Sequence, residues 1–558
     1  MRSKWWGWGR EGESYHLPAP EQFWSYVQAR LGETELAERL ESASEITVSP
    51  GRLPGGVISE LTGLVGAQGV STDYAARAVF SLGKGYKDLV RIRRGEVPSP
   101  TDVVVTPATE EHVLEVLRLA RRHGLAVIPF GGGTSVVGGV EPCGDRPSIT
   151  LDLAELSRPL AIDQHAATAT VQAGIMGPDL ERFLNPSGFT LGHFPQSFVY
   201  SSVGGWIATR SAGQNSTRYG AIAELVQSMH LAHPDGLLST PNVPAAAAGP
   251  DLVQVITGSE GTLGVITQAT LRLAPLPEHD DYRGYLLPSF AEGVEAAREI
   301  MQSDITPSVL RVSDETETES TLALRAPPQG FAGVVEGVGR WYLGRRGLSL
   351  ESGSVMILGF EGNEADVRHE RAAAKRILGR HGAFSIGKGA GRAWKRGRYD
   401  APLLRDTLLD HGIMVETLET AVPWDRYLAL HAAVRDALYN ALGERSVVMA
   451  HLSHSYRDGG SIYYTFLAAQ EKGAEVEQWE RVKAAATDAI VRNGGALSHH
   501  HGIGAEHRRW MPGYLGEQGA RWLSAIKTAL DPEGILNPGK LVPPSAEASQ
   551  PPPAVGDG

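Results

Sequence analysis

Pro129-Phe130-Gly131-Gly132-Gly133-Thr134-Ser135-Val136-Val137-Gly138-Gly139 decides how this chain is read. An apolar run, Leu125 to Ile128, precedes it and reads as a buried strand, so the glycines fall where a strand ends and a loop begins. A loop of this composition is built to hold phosphate. Glycine tolerates positive φ and lets backbone N–H groups approach an anion closely, and the Thr134 and Ser135 hydroxyls add donors. No lysine follows, which sets the loop apart from a Walker loop. The spacing also breaks G-x-G-x-x-G, and no helical pattern starts directly after it, so a nicotinamide-type site is not expected. The alternative is a glycine-rich surface turn, since glycine runs are common in loops.

Three later stretches share the character. They are Gly192-His193-Phe194-Pro195-Gln196-Ser197-Phe198-Val199-Tyr200-Ser201-Ser202-Val203-Gly204-Gly205-Trp206, then Thr209-Arg210-Ser211-Ala212-Gly213, then Gly258-Ser259-Glu260-Gly261-Thr262-Leu263-Gly264-Val265-Ile266. Together with the first loop they resemble the FAD-binding domain of the vanillyl-alcohol-oxidase or PCMH type of flavoprotein. The resemblance implies FAD as cofactor, with Pro129 to Ser135 around the pyrophosphate. Gln196 to Ser202, Thr209 to Ala212 and Glu260 to Ile266 then line the ribityl chain and isoalloxazine. Some members attach the flavin through a histidine in or near these loops; the first loop has none, so dissociable FAD is expected.

The chain has 558 residues, too many for one core, so two or three domains are expected. Its 42% hydrophobic and 21% charged residues are ordinary for a globular protein. A net charge of −12 argues against a general nucleic-acid binder. One cysteine, Cys143, excludes an intrachain disulfide framework and fits a reducing compartment. No run of 18 apolar residues and no signal-peptide core are present, so a cytoplasmic protein is expected, touching membrane at most from its surface.

The pattern divides as follows. Residues 1–97 form a tryptophan-rich helical arm: four of the eleven tryptophans, Trp5, Trp6, Trp8 and Trp24, lie in its first 24 residues, and Gln22 to Leu31 and Glu33 to Leu40 read as helices. Such an arm pins itself to another domain by burying indoles. Residues 98–276 read as the FAD domain. In it Thr109 caps a helix whose Val113, Val116, Leu117 and Ala120 share one face, and strands follow at Ile149 to Leu153 and Thr168 to Ala173. From 277 to 505, strands at Tyr282 to Leu287, Ser354 to Phe360, Ile413 to Leu418, Val447 to His454 and Ser461 to Leu467 alternate with long helices, as in an antiparallel-sheet substrate cap. The fold class is α+β. Residues 506–542 pack back on the FAD domain, and 543–558, with Pro551 to Pro553, read as a disordered tail.

The cap carries the reactive candidates. His499-His500-His501 precede Gly502-Ile503-Gly504; consecutive side chains point in different directions, so at most two can face one ligand, and proton or anion chemistry is expected rather than a metal site. Tyr463 and Tyr464 share a strand and must face opposite sides. Lys4-Trp5-Trp6-Gly7-Trp8-Gly9, the flavin loops, Pro307-Ser308-Val309-Leu310-Arg311, Arg405, Pro423-Trp424-Asp425-Arg426, Ile462-Tyr463 and Ser498 to Gly504 together resemble the alkyldihydroxyacetonephosphate synthase family, in order, over about residues 4 to 541. The resemblance implies an FAD enzyme without net redox change that exchanges the acyl group of acyl-dihydroxyacetone phosphate for a long-chain fatty alcohol. Carried over, Tyr463 is the proton acceptor and donor, Arg311 an activity-critical arginine, Arg405 the substrate-binding arginine, His499, His500 and His501 the essential histidine run, and His193 an active-site histidine.

The chemistry suits those types. A phenol of ordinary pKa about 10 is ionised in about one part in a thousand at pH 7, and arginine or imidazolium neighbours are expected to lower it. Arginine suits a phosphate, because its fork binds two oxygens at once. The alternative is an FAD-dependent 2-hydroxy-acid dehydrogenase or oxidase, whose metal-binding His and Glu positions read Tyr463 and His500 here. The expected partners are the lipid substrates, a second copy of the chain in a homodimer, and a membrane surface met through Phe331 to Arg346, whose Phe331, Val334, Val335, Val338, Trp341 and Tyr342 share a helical face. The chain ends Val555-Gly556-Asp557-Gly558, and a peroxisomal home is not expected.

Overall fold

The computed structural model describes residues 4–324, 348–349 and 352–542. The strand that leads into the phosphate loop, Ala126–Phe130, pairs in parallel with Ser148–Asp152, whose other edge pairs in parallel with Val103–Val105; Val70–Ser71 completes a four-stranded sheet. Parallel strands need a crossover, and the helix Glu110–His123 supplies it. Its N-cap Thr109 accepts from the His112 N–H, two glutamates sit in its first turn, and Gly124 ends it at φ 64°. Val113, Val116, Leu117 and Ala120 are all fully buried, as their spacing requires.

A second, antiparallel sheet runs in the order Pro159–Asp163, Thr168–Gln172, Val265–Arg272, Val226–His233, Gly236–Ser239, the last two joined by the Pro234-Asp235 turn. The helices Gly177–Leu184 and Val203–Ala208 bury Leu180, Leu184, Trp206 and Ile207 in its core. The glycine-rich loops leave the ends of these two sheets.

The cap is a seven-stranded antiparallel sheet in the order Phe384–Gly387, His279–Leu287, Ser354–Gly362, Val309–Ser313, Ser446–Ser455, Gly459–Ala469, Ile413–Pro423. Outside irregularities at Gly284/Tyr285 and Leu452/Ser455, side chains alternate across it. Leu310, Val312, Met356, Leu358, Val448, Ala450, Ile462, Tyr464 and Phe466 pack under the helices Phe290–Met301, Glu364–Arg380, Tyr427–Leu442 and Glu475–Arg492. The odd-numbered residues Arg311, Ser313, Val355, Ile357, Val415, Thr417, Val447, Met449, His451, Tyr463, Thr465 and Leu467 face the other way, into a cavity. One period-two pattern thus builds both the core and the site.

The tryptophan-rich arm is pinned as its indoles suggest. The Trp8 N–H donates to the Asp406 carboxylate, its indole N–H to the Lys84 carbonyl, Trp24 stacks on His411, and Trp6 lies under Lys4, Arg39 and Arg93. The first helix is Pro20–Leu31, but Glu33 to Leu40 is not helical. Gly32 at φ 84° ends the helix, and the N–H groups of Ala37 and Leu40 donate to Asp410 and Arg93 carbonyls, which ties that segment to its neighbours rather than to itself. The apolar segment Phe331 to Arg346 and the tail 543–558 lie outside the described residues.

Candidate functional site

A cavity of 1110 Å³ separates the glycine-rich loops from the open face of the cap sheet. That exceeds the roughly 300–1,000 Å³ that takes a drug-sized ligand, leaving room for a dinucleotide and a second molecule. All of Pro129 to Val137 lines it, as do Gln196, Ser197, Ser201, Ser202, Thr209, Ser211, Glu260, Gly261, Gly264 and Ile266. Among the described residues, the N–H groups of Gly131, Gly132, Gly133 and Thr134 donate to no protein acceptor. A row of free amides opening on a hydroxyl-lined cavity is the donor set a diphosphate needs. The loop is held there by close approach: a Cβ on Gly132 would stand 1.9 Å from the Tyr200 carbonyl oxygen, and Gly133 sits at φ 68°. These residues fit FAD.

The other loop residues expected at the cofactor do not line the cavity. Phe198 stacks between Trp206 and Tyr399, the Tyr200 hydroxyl donates to Glu13, Arg210 donates to the Thr257 carbonyl and Gln254, Thr262 donates to the Ser259 carbonyl, and Val199, Ala212, Leu263 and Val265 are packed into the protein. They shape the loops from behind. Glu260 does both: at φ 52° its carboxylate accepts from the Ile503 and Gly504 N–H groups at 2.6 and 2.7 Å, tying a flavin loop to the turn after the histidines. Burial pushes Glu260 up to about 7.

Facing these loops, the cap gathers Tyr463, Arg311, Arg405, His500 and His501 at one cavity. Arg311 donates to Glu317 at 2.8 Å, and His451 meets the same carboxylate oxygen at 2.8 Å. Burial works against that charge, yet Arg311 and His451 hold Glu317 at about 2. Arg405, on the helix Ala401–Asp410, pairs with buried Glu416 at 3.1 Å and donates to the Lys84 carbonyl. The Tyr463 ring stacks on His451 at 5.0 Å and lies 5.7 Å from His501. The expected acidification of Tyr463 is not found. Burial raises its pKa, a larger effect than the downward pull of Thr417 and Arg405, and the neighbouring histidines are not imidazolium ions.

The histidine run hangs on one carboxylate. Glu419, directly across the strand pair from Tyr463, accepts from the N–H groups of His499, His500 and His501 at 2.5, 2.9 and 2.9 Å and from the Ser498 hydroxyl at 2.9 Å. Burial opposes the Glu419 charge but the three histidines outweigh it and hold the carboxyl far below its usual range. The imidazoles are themselves depressed by burial, His499 and His500 to about 4, and His501 downward. They are neutral bases at pH 7. His499 points away from the cavity, its Nε2 bonded to the Tyr456 hydroxyl at 2.6 Å and its Nδ1 2.9 Å from that of His500. His454, His499 and His500, and likewise Glu419, His500 and His501, bring ligand atoms within 4.8 Å of one another, so each trio could hold an ion with two consecutive histidines. His193 does not reach the cavity: it is buried, its Nε2 3.3 Å from the Ser211 hydroxyl, its ring against Trp206, and burial takes it down to about 3.

The same cavity has an apolar branch. Phe23, Val27 and Leu31 of the arm helix, with Leu408, Val415, Val447 and Leu467, enclose it between arm and cap.

Two family models match the chain: residues 101–240 as an FAD binding domain and 276–541 as the C-terminal domain of FAD linked oxidases. The alkyldihydroxyacetonephosphate synthase of Dictyostelium discoideum is 35% identical over 476 residues, covering 84% of this chain and 78% of that one. The chain belongs to the alkyldihydroxyacetonephosphate synthase family. The synthase of Trypanosoma brucei brucei is 34% identical over 88% of this chain and 82% of its own. A solved alkyldihydroxyacetonephosphate synthase structure superposes with a TM-score of 0.83 at 31% identity, over 97% of this chain and 99% of that one. The chain is therefore an FAD-linked enzyme of the PCMH-type fold.

Sequence reasoning passed over Glu317, Glu416, Glu419 and His451, which hold the arginines, histidines and tyrosine of this synthase-family site. A signal existed for two of them. Glu416 and Glu419 are the charged residues of the otherwise uncharged, largely buried strand Ile413–Pro423, and a charge in a buried strand must have a partner.

Proposed function

We propose that this chain exchanges the acyl group of 1-acyl-dihydroxyacetone phosphate for a long-chain fatty alcohol, forming the ether bond on FAD with no net redox change. The observation that carries the reading is one continuous cavity that joins the phosphate-binding loops, the Tyr463–arginine–histidine cluster and an apolar branch long enough to be walled by both arm and cap. When bound, FAD supplies the electrophilic ring against which the exchange runs. Tyr463 takes and returns the C1 proton. Because burial keeps the phenol protonated, Tyr463 must first pass its hydroxyl proton to neutral His500 or His501 and then take the C1 proton as the phenolate, whose charge Arg405 favours. Arg311, fixed by Glu317, orients the departing carboxylate, and Arg405 contacts the substrate head.

Residues 98–276 bind FAD noncovalently, with the arm before residue 98, the cap to 505 and a return segment to 542. The histidine nearest the loops, His193, is shut behind Trp206 and out of the cavity, which favours dissociable cofactor. The protein works in the cytoplasm as a homodimer, against a membrane surface. The deciding assay supplies 1-acyl-dihydroxyacetone phosphate and isotope-labelled hexadecanol: label should appear in an ether product with release of free fatty acid, without bleaching of the flavin. Bleaching by lactate or glycolate with no ether product would make the chain a 2-hydroxy-acid dehydrogenase instead. Acid precipitation of the holoenzyme should leave all the yellow colour in solution.

A further inference from the structure

Among the described residues, three arginines line the cavity. Two are neutralised from behind, Arg311 by Glu317 at 2.8 Å and Arg405 by Glu416 at 3.1 Å. The third, Arg398, meets no carboxylate within ion-pair distance among the described residues. Its Nε and Nη1 are shut off from solvent and donate to nothing described, and its guanidinium lies 4.8 Å from the ring centroids of both Phe194 and Tyr399. The Tyr399 hydroxyl beside it is likewise shut off from solvent, with the Arg398 guanidinium as its polar neighbour. Gln214 anchors the backbone of this corner by donating to the Arg398 carbonyl at 3.1 Å.

A guanidinium stays charged at any pH a protein meets, so burial cannot be relieved by losing a proton. Two aromatic faces soften the cost but satisfy no N–H. A half-buried cation with two orphaned donors at a cavity wall lacks an anion, and its planar fork matches the oxygens of a phosphate monoester. We propose that Arg398, backed by the Tyr399 hydroxyl behind the cavity wall, is the subsite for the phosphate of the three-carbon ketone substrate, the one described cavity arginine whose charge is left for it. This rests on the synthase reading of the same cavity. The shared chemistry, phosphate, also belongs to the FAD diphosphate, so the test must separate the two.

The holoenzyme and its Arg398→Gln, Arg398→Lys and Tyr399→Phe variants are compared for FAD content by absorbance, for glycerol 3-phosphate binding by calorimetry, and for exchange kinetics. Arg398→Gln should keep its FAD, weaken glycerol 3-phosphate binding at least tenfold, about 1.4 kcal/mol, and raise KM for the acyl substrate far more than it lowers kcat. Arg398→Lys should recover part of the binding, since charge remains and the fork is lost, and Tyr399→Phe should weaken it several-fold. If Arg398→Gln does not fold, weakened binding in Arg398→Lys and Tyr399→Phe at full FAD content supports the subsite equally, and unchanged binding in both overturns it. Loss of FAD with unchanged glycerol 3-phosphate affinity assigns the arginine to the cofactor and overturns the proposal, as does no change in either. A wild type that binds glycerol 3-phosphate through Arg398 but makes no ether keeps the subsite and removes the synthase reading.

Discussion

Tyr463 lies across its strand pairs from His451 on one side and Glu419 on the other, so the phenol, the arginine-linked imidazole and the carboxylate that holds the histidine run form one row. Removing only the hydroxyl, Tyr463→Phe, should leave flavin content and the packed row intact while exchange falls by two orders of magnitude or more, the scale of a lost acid–base group. Retained activity would move the proton to His500 or His501. The His499 and His500 imidazoles also set an acid dependence. Their folded pKa lies below the ordinary value of about 6.5, so the stability they contribute is fully present above pH 6.5 and drains away as pH falls through about 4. Melting curves should drop across that window, and the acid limb of kcat/KM should lie near pH 4–5 rather than at 6.5.

At the scale of elements, the site depends on a strand holding a loop. Glu419, in the strand Ile413–Pro423, collects four hydrogen bonds from Ser498 to His501, and Glu260 collects two from the turn that follows. Glu419→Gln keeps the shape but loses the charge, and its amide N–H₂ faces donors. We expect about 1–3 kcal/mol of lost stability and a fall in exchange of at least tenfold at unchanged FAD content, measured by chemical denaturation and turnover; Glu419→Asp should be intermediate. An unaltered variant would show that the histidine run holds its place by packing alone. The arm is a second such element. Trp8→Ala removes an indole packed against Tyr200 and bonded to Lys84, and should loosen the arm by about 3–5 kcal/mol, seen as protease cleavage within the first 30 residues.

At the scale of the whole molecule, the question is how a protein with no helix long and apolar enough to cross a membrane, among the described residues, would meet the long-chain substrates proposed for it. Liposome flotation with anionic vesicles at low salt gives surface attraction its greatest strength. The wild type should float and a Val338→Glu, Trp341→Glu variant should not; a wild type that stays at the bottom removes the membrane contact from the proposal.

Much of this was legible in the chain itself. The glycine loops read as a phosphate site because glycine takes positive φ freely, as Gly133 does at 68°, and period-two alternation put Tyr463 and Tyr464 on opposite faces because a pleated strand has no other choice. Local geometry of that kind is set by neighbours a few residues away, and it can be read without the fold. What only the tertiary structure decided was pairing and solvent. The helical pattern of Glu33 to Leu40 lost to hydrogen bonds that Ala37 and Leu40 donate to the Asp410 and Arg93 carbonyls. His193, which sequence placed with the active histidines, is buried behind Trp206, and Tyr463 is made a weaker acid rather than a stronger one. Three arginines alike in sequence part company because Glu317 and Glu416 reach two of them, while Arg398 pairs with no carboxylate among the described residues. Charge compensation and desolvation act through space over a few ångströms, and no spacing along the chain records which groups will share that space.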